Sequence, residues 1–145
     1  MTTIKEAKIK ILSHIENLDA SGLPEGDAER TESFADGFYR FSDGEVTVSY
    51  SENTEGGFVS SEISVKDGRV TVKRGGSIES LFEFGEGMEH KSLYEIPPYK
   101  FDTVIKTKKI RAELTPSGGT LDLKYDMRIG GSEKSARMKL WISTD

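Results

Sequence analysis

The sequence predicts an all-β protein, an antiparallel up-and-down barrel of eight to ten strands. Apolar residues recur at every second position through most of the chain, and Asp-Gly or Gly-Gly pairs interrupt them at short intervals. No segment reads as a helix crossing between parallel strands. A meander of such hairpins closes most simply on itself, because closure removes exposed edges. A two-sheet sandwich satisfies the same hairpin lengths and stays open at this level.

The N-terminus is the one ambiguous element. Ile4, Ala7, Ile11, Ile15 and Leu18 fit a helical stripe, whereas Ile9, Ile11, Ser13 and Ile15 fit a strand, which the β-branched isoleucines favour. Residues 17 to 28 read as a polar loop, and a strand runs from about Arg30 to Phe41. "EVTVSY" turns Val46, Val48 and Tyr50 inward; "VSSEISVK" does so with Val59, Ser61, Ile63 and Val65. In "RVTVKRGG" the same count puts Val70, Val72 and then Arg74 on the apolar side, a charge one residue before the turn. Ile78, Ser80, Phe82 and Phe84 follow in phase, as do Met88, His90, Ser92 and Tyr94. Pro97-Pro98 breaks the pattern, since proline cannot donate within a ladder. Phe101, Thr103, Ile105 and Thr107 then face inward, and a phase change at Lys108-Lys109 brings in Ile110, Ala112 and Leu114, the mark of a β-bulge. "TLDLKYDMRI" sets Leu121, Leu123, Tyr125, Met127 and Ile129 against charged neighbours, and "ARMKLWIS" closes the chain with Ala136, Met138, Leu140 and Ile142 inward.

At 145 residues the chain suits one domain. A net charge of −5 speaks against a nucleic-acid binder, since phosphate affinity needs clustered Lys and Arg. No apolar run reaches the roughly 18 residues of a bilayer-spanning helix, so no membrane partner is expected. Cysteine is absent, which removes disulfides, thiolate metal sites and a cysteine nucleophile. A cytoplasmic protein is the expectation. His14 and His90 are too few for zinc, and neither a metal nor a cofactor is expected. No nucleophile elbow, phosphate loop or dinucleotide fingerprint is present.

Face-counting gathers Arg74, His90, Tyr50, Tyr94, Tyr125 and Thr107 inside the barrel. A guanidinium with phenols around it can clamp a carboxylate, so these six are the candidate ligand-binding residues for a small anionic or amphipathic molecule. The competing reading is a structural network of inward hydroxyls bonded to one another and to the backbone. Arg74 either extends its stem along the wall to reach water at the rim or meets a buried anion; burial without a partner would cost several kcal/mol. Outside, Trp141 lies on the polar face of its strand, and Lys106 and Lys108 belong to a basic run opposed in sign to the acidic residues 16–36. They are the candidate interface for a homodimer or an acidic partner.

The order "GFYRF…EVTVSYSEN…ISVKDGRVTVKRGG…FEFGEG…SLYEI…IKTKKI…LDLKYDM" resembles the small bacterial YwiB-like proteins, a family of unknown function. The similarity runs from about Ile9 to Ile142 and rests on Tyr50 and Glu52, Arg74 and Gly76, Tyr94, Thr107, and Tyr125 with Met127. The chain departs from it at "IPPY", where the family often carries Thr-x-Gly. The resemblance implies a calycin-like (lipocalin-like) barrel and a cytoplasmic location, and lends no activity. A non-enzymatic binding protein is the leading expectation, an interaction module with a filled barrel the second. An enzyme, working through His90 or a carboxylate in a wet cleft, is the third.

Overall fold

In the computed structural model, which describes residues 2–144, ten strands follow one another. They are β1 (Thr3–Asn17), β2 (Glu29–Ser42), β3 (Glu45–Thr54), β4 (Gly57–Lys66), β5 (Arg69–Gly76), β6 (Glu79–Phe84), β7 (Glu89–Ile96), β8 (Tyr99–Thr115), β9 (Gly118–Ile129) and β10 (Ser132–Ser143). Each pairs antiparallel with its neighbours in sequence, and β1 pairs with β10 to close the barrel. The sandwich alternative is thereby excluded, and the ambiguous N-terminus is a strand. β1 is also the residue row that joins the two ends of the meander, with Ile9 opposite Ile142 and Ala35. Ile9, Ile11 and Ile15 therefore have ladder partners on both sides, an arrangement that a helix could not have satisfied.

Local chemistry sets the registers. Asp67 and Gly68 both have positive φ (51° and 74°), the geometry of a two-residue hairpin turn whose twist matches its strands. That turn leaves Lys66 opposite Arg69 and, counting back, Ser61 opposite Arg74. The predicted bulge is a register shift between Thr107 and Lys109. Pro97-Pro98, joined by a cis bond, forms the β7–β8 turn.

The interior has two halves. One is filled: Ile9, Val48, Ile63, Val70, Val72, Ile105, Leu121, Leu123 and Leu140 are at most 1% exposed. Large interlocking aliphatics leave no room there. In the other half the inward positions carry Ser13, Thr31, Ser33, Ser61 and Arg74, shorter or more polar side chains that cannot fill the same cross-section. Met88, exposed by 40%, and Ala112 leave the predicted inner set.

The wall is also interrupted. β2 pairs with β3 only from Gly37 opposite Tyr50 to Ser42 opposite Glu45. Beyond that vertex Glu29–Asp36 pairs with β1 alone and Ser51–Thr54 with β4 alone, so the strands diverge into a slit. β6 and β7 pair at only two positions, Glu79 with Glu95 and Ser80 with Tyr94. Beside that second gap the β6–β7 turn is tied to β8, with Gly87 N donating to Thr107 O and Thr107 N to Met88 O.

Candidate functional site

Hairpin registers bring five residues into one row around the wall: Tyr50 opposite Ser61, Ser61 opposite Arg74, Arg74 opposite Ser80, and Ser80 opposite Tyr94. All five lie in the inward phase. Above this row opens a cavity of about 430 Å³. Arg74, Tyr50, Tyr94 and Tyr125 line it, together with apolar groups from β1, β6, β9 and β10, among them Ile11, Phe82, Met127 and Met138. Glu29, Thr31 and Ser33 from β2 and Glu52 and Thr54 from β3 form its outer reach, so the cavity opens through the slit between those strands.

Arg74 is half-buried, and its guanidinium is turned into the lumen. Nη2 lies 3.7 Å from the Met138 sulfur on β10. Burial pushes the pKa of the Tyr50 phenol up, and the Arg74 charge opposes that rise. Tyr125 is likewise raised by burial and countered by Arg74, so the cation acts on phenols from two sides. Among the described residues no carboxylate lies within ion-pair distance of Arg74. The side chain reaches across the lumen to β10, and of the two sequence expectations for this residue a buried protein anion is the one not met among the described residues. The Ser80 hydroxyl, next in the row, is buried and has no hydrogen-bond partner among the described residues.

Stacking fixes the phenol walls. The Phe82 and Tyr94 rings stack with centroids 6.0 Å apart, and Tyr125 meets Phe84 edge-on at 4.9 Å.

Two of the six predicted site residues lie elsewhere. Thr107 is opposite Tyr125, but its Oγ1 accepts a hydrogen bond from Gly85 N at 3.2 Å and pins the β6–β7 turn. His90 occupies the gap between β6 and β7: Nε2 is 2.8 Å from Glu83 Oε2, and Nδ1 is 3.2 Å from Ser92 Oγ. Because β6 and β7 separate there, the ring leaves the inner face and joins an outer recess lined by Glu83, Phe84 and Met88. Ser92 does not line that recess, so the trio has the contacts of a charge relay without a hydroxyl facing a substrate. Among the described residues no three His, Asp or Glu side chains are placed to hold a metal ion.

The predicted interface residues do not form one patch. Trp141 lies between Lys10 Nζ at 4.9 Å and Lys139 Nζ at 4.8 Å from its ring centroid. Register through Thr120 sets it level with Glu113, some seven residues, or about 23 Å, along β8 from Lys106. Lys108 is held 3.2 Å from Asp126. The residues face-counting passed over are Met138 and Glu52. Both were in phase, but only closure of the barrel brings Met138 to Arg74, and only the slit brings Glu52 to the mouth.

A closed ten-stranded antiparallel barrel, filled at one end and open through a slit at the other, places the chain among the all-β barrel proteins. The model of the family described as "Domain of unknown function (DUF1934)" matches residues 14–142, and the chain belongs to that family. It is similar to the "Uncharacterized beta-barrel protein YwiB" of Bacillus subtilis (strain 168), 27% identical over 110 residues, or 76% of this chain and 78% of that protein. The crystal structure of the ywiB protein from Bacillus subtilis superposes with a TM-score of 0.84 at 25% identity, covering 98% of this chain and 93% of that one.

Proposed function

We propose that this protein is a non-enzymatic binder of a small anionic, amphipathic molecule held in the open half of the barrel. The observation that carries the reading is the Arg74 guanidinium: half-buried, aimed into a cavity, flanked by phenols and a thioether, and without a carboxylate partner among the described residues. Such a cation gains most from an occupant that brings the missing anion. The apolar walls from Ile11, Phe82, Met127 and Met138 suit the remainder of that molecule. The Ser80 hydroxyl beside Arg74 adds an unsatisfied polar group to the same row.

The outer face of β9 alternates Asp122, Lys124, Asp126 and Arg128, charges that would be costly against lipid, which supports an aqueous setting. The test is a thermal-shift screen of a metabolite library against wild type and Arg74→Met. Acids that raise the wild-type melting temperature and leave the variant unmoved are the expected hits. Equal shifts in both proteins, or none in either, remove the proposal.

A second reading, a subunit contact through the outer face, is favoured by Phe34 and Phe38 on β2, exposed by 76% and 55%. Sedimentation equilibrium decides it: a monomer at the highest attainable concentration excludes the contact.

A further inference from the structure

We infer that the occupant is the C-terminal end of an extended polypeptide, which enters the β2–β3 slit, adds to the free edge of β3 and places its terminal carboxylate on Arg74. This deepens the binding reading above and rests on it.

The slit supplies what a strand needs. Past the Gly37–Tyr50 vertex, Ser51–Thr54 has ladder partners on the β4 side only, and Glu29–Asp36 on the β1 side only. Alternate N–H and C=O groups of both segments therefore face the opening. Among the described residues no other backbone group bonds them. The other break in the wall, between β6 and β7, is bridged by the His90–Glu83 side-chain pair, whereas no such side-chain pair spans the β2–β3 gap among the described residues. Unpaired edges are usually blunted by proline, charged side chains or a bulge. "SENT" (51–54) on β3 has no proline and one charge, Glu52, and its pairing with β4 is unbroken.

Direction and chemistry follow from the vertex. Tyr50 closes the slit and lines the cavity with Arg74, so the cation lies at the inner end of the opening. A chain whose carboxylate reaches Arg74 with its N-terminus outside runs antiparallel to β3, the better of the two ladder geometries. The four residues Ser51–Thr54 offer about 13 Å of edge, enough for a short segment. Glu29 and Glu52 stand on the two banks of the mouth. These acceptors suit a ligand that carries N–H donors behind its anionic end. A fatty acid has none, and its tail would leave the half-buried Glu52 carboxylate facing hydrocarbon.

The test is a fluorescence-polarisation competition with three probes: a pool of N-acetylated apolar pentapeptides with free carboxylates, the same pool as C-terminal amides, and decanoate. The acid pool should bind at least about tenfold more tightly than the amide pool, the loss expected when a charged hydrogen-bonding partner is removed. Arg74→Met should abolish that difference. N-methylation along the best peptide should weaken binding at alternate residues only, since one in two backbone N–H groups faces the ladder. Equal affinity of the acid and amide pools, or N-methyl effects without alternation, overturns the inference on wild-type protein alone. Decanoate binding that depends on Arg74 while the peptides fail overturns the peptide and leaves the binding reading intact. Failure of every acid probe removes both.

Discussion

Arg74 on β5 spans the lumen to Met138 on β10, its Nη2 3.7 Å from the thioether sulfur. A guanidinium against a thioether is a poor exchange for water or a carboxylate, so the contact favours binding over stability. Arg74→Met should leave the unfolding free energy unchanged or raise it by up to about 1 kcal/mol, as substitutions at strained functional sites often do. Urea denaturation measures this. A loss above about 2 kcal/mol would mean that Arg74 is a structural residue.

Gly37 marks the vertex of the slit. A β-carbon there would lie 2.0 Å from the Ser49 carbonyl oxygen and 3.0 Å from Tyr50 Cβ. Gly37→Ala is therefore expected to force β2 and β3 apart, at a cost of about 1–3 kcal/mol. Gly56→Ala, whose nearest neighbour is Thr54 Oγ1 at 3.8 Å, is the control and should change stability by less than about 0.5 kcal/mol. Equal effects from the two would contradict the close approach.

Thr107, 2% exposed, gives Gly85 N its acceptor. Thr107→Val keeps the shape, removes the acceptor and should cost about 1–3 kcal/mol, with faster exchange of the Gly85 amide. Thr107→Ser should keep that amide protected. An unchanged Gly85 exchange rate in the valine variant would show that the bond contributes nothing.

Tyr39, 1% exposed, donates to Thr115 O at 2.8 Å, and burial pushes its pKa from 10.0 to about 12. The folded state thus holds the neutral phenol longer than the unfolded chain does. Its contribution is complete below about pH 10 and drains away as pH climbs towards 12. Tyr39→Phe should lose about 1 kcal/mol at neutral pH and show a flatter stability curve in that alkaline window. A curve parallel to wild type there would refute the assignment.

Asp122 and Arg137 form a two-pronged pair on the outer wall, with Nε to Oδ1 at 3.0 Å and Nη2 to Oδ2 at 2.7 Å. The hydrogen bond from Arg137 holds the Asp122 carboxyl below its usual 3.8. A depressed carboxyl stabilises the fold above the unfolded value and ceases to do so as pH falls through the folded one. Asp122→Asn should cost about 0.5–1 kcal/mol at neutral pH and lose less on acidification than wild type. Identical acid limbs would exclude the pair as a contributor.

The chain alone determined the rhythm of the wall and much of the site's composition. Alternation of small period is a local property, so the inward phase of Tyr50, Ser61, Arg74 and Tyr125 could be counted without coordinates. Even the Ser61–Arg74 neighbourhood was implicit in the Asp67-Gly68 turn, whose length fixes the register. What only the tertiary structure decided was where the ladders stop and what faces what across the lumen. The divergence of β2 from β3, the displacement of His90 into the β6–β7 gap, and the meeting of Arg74 with Met138 all depend on closing the sheet. Closure couples strands far apart in sequence through tilt and curvature, and no count along one strand carries that information.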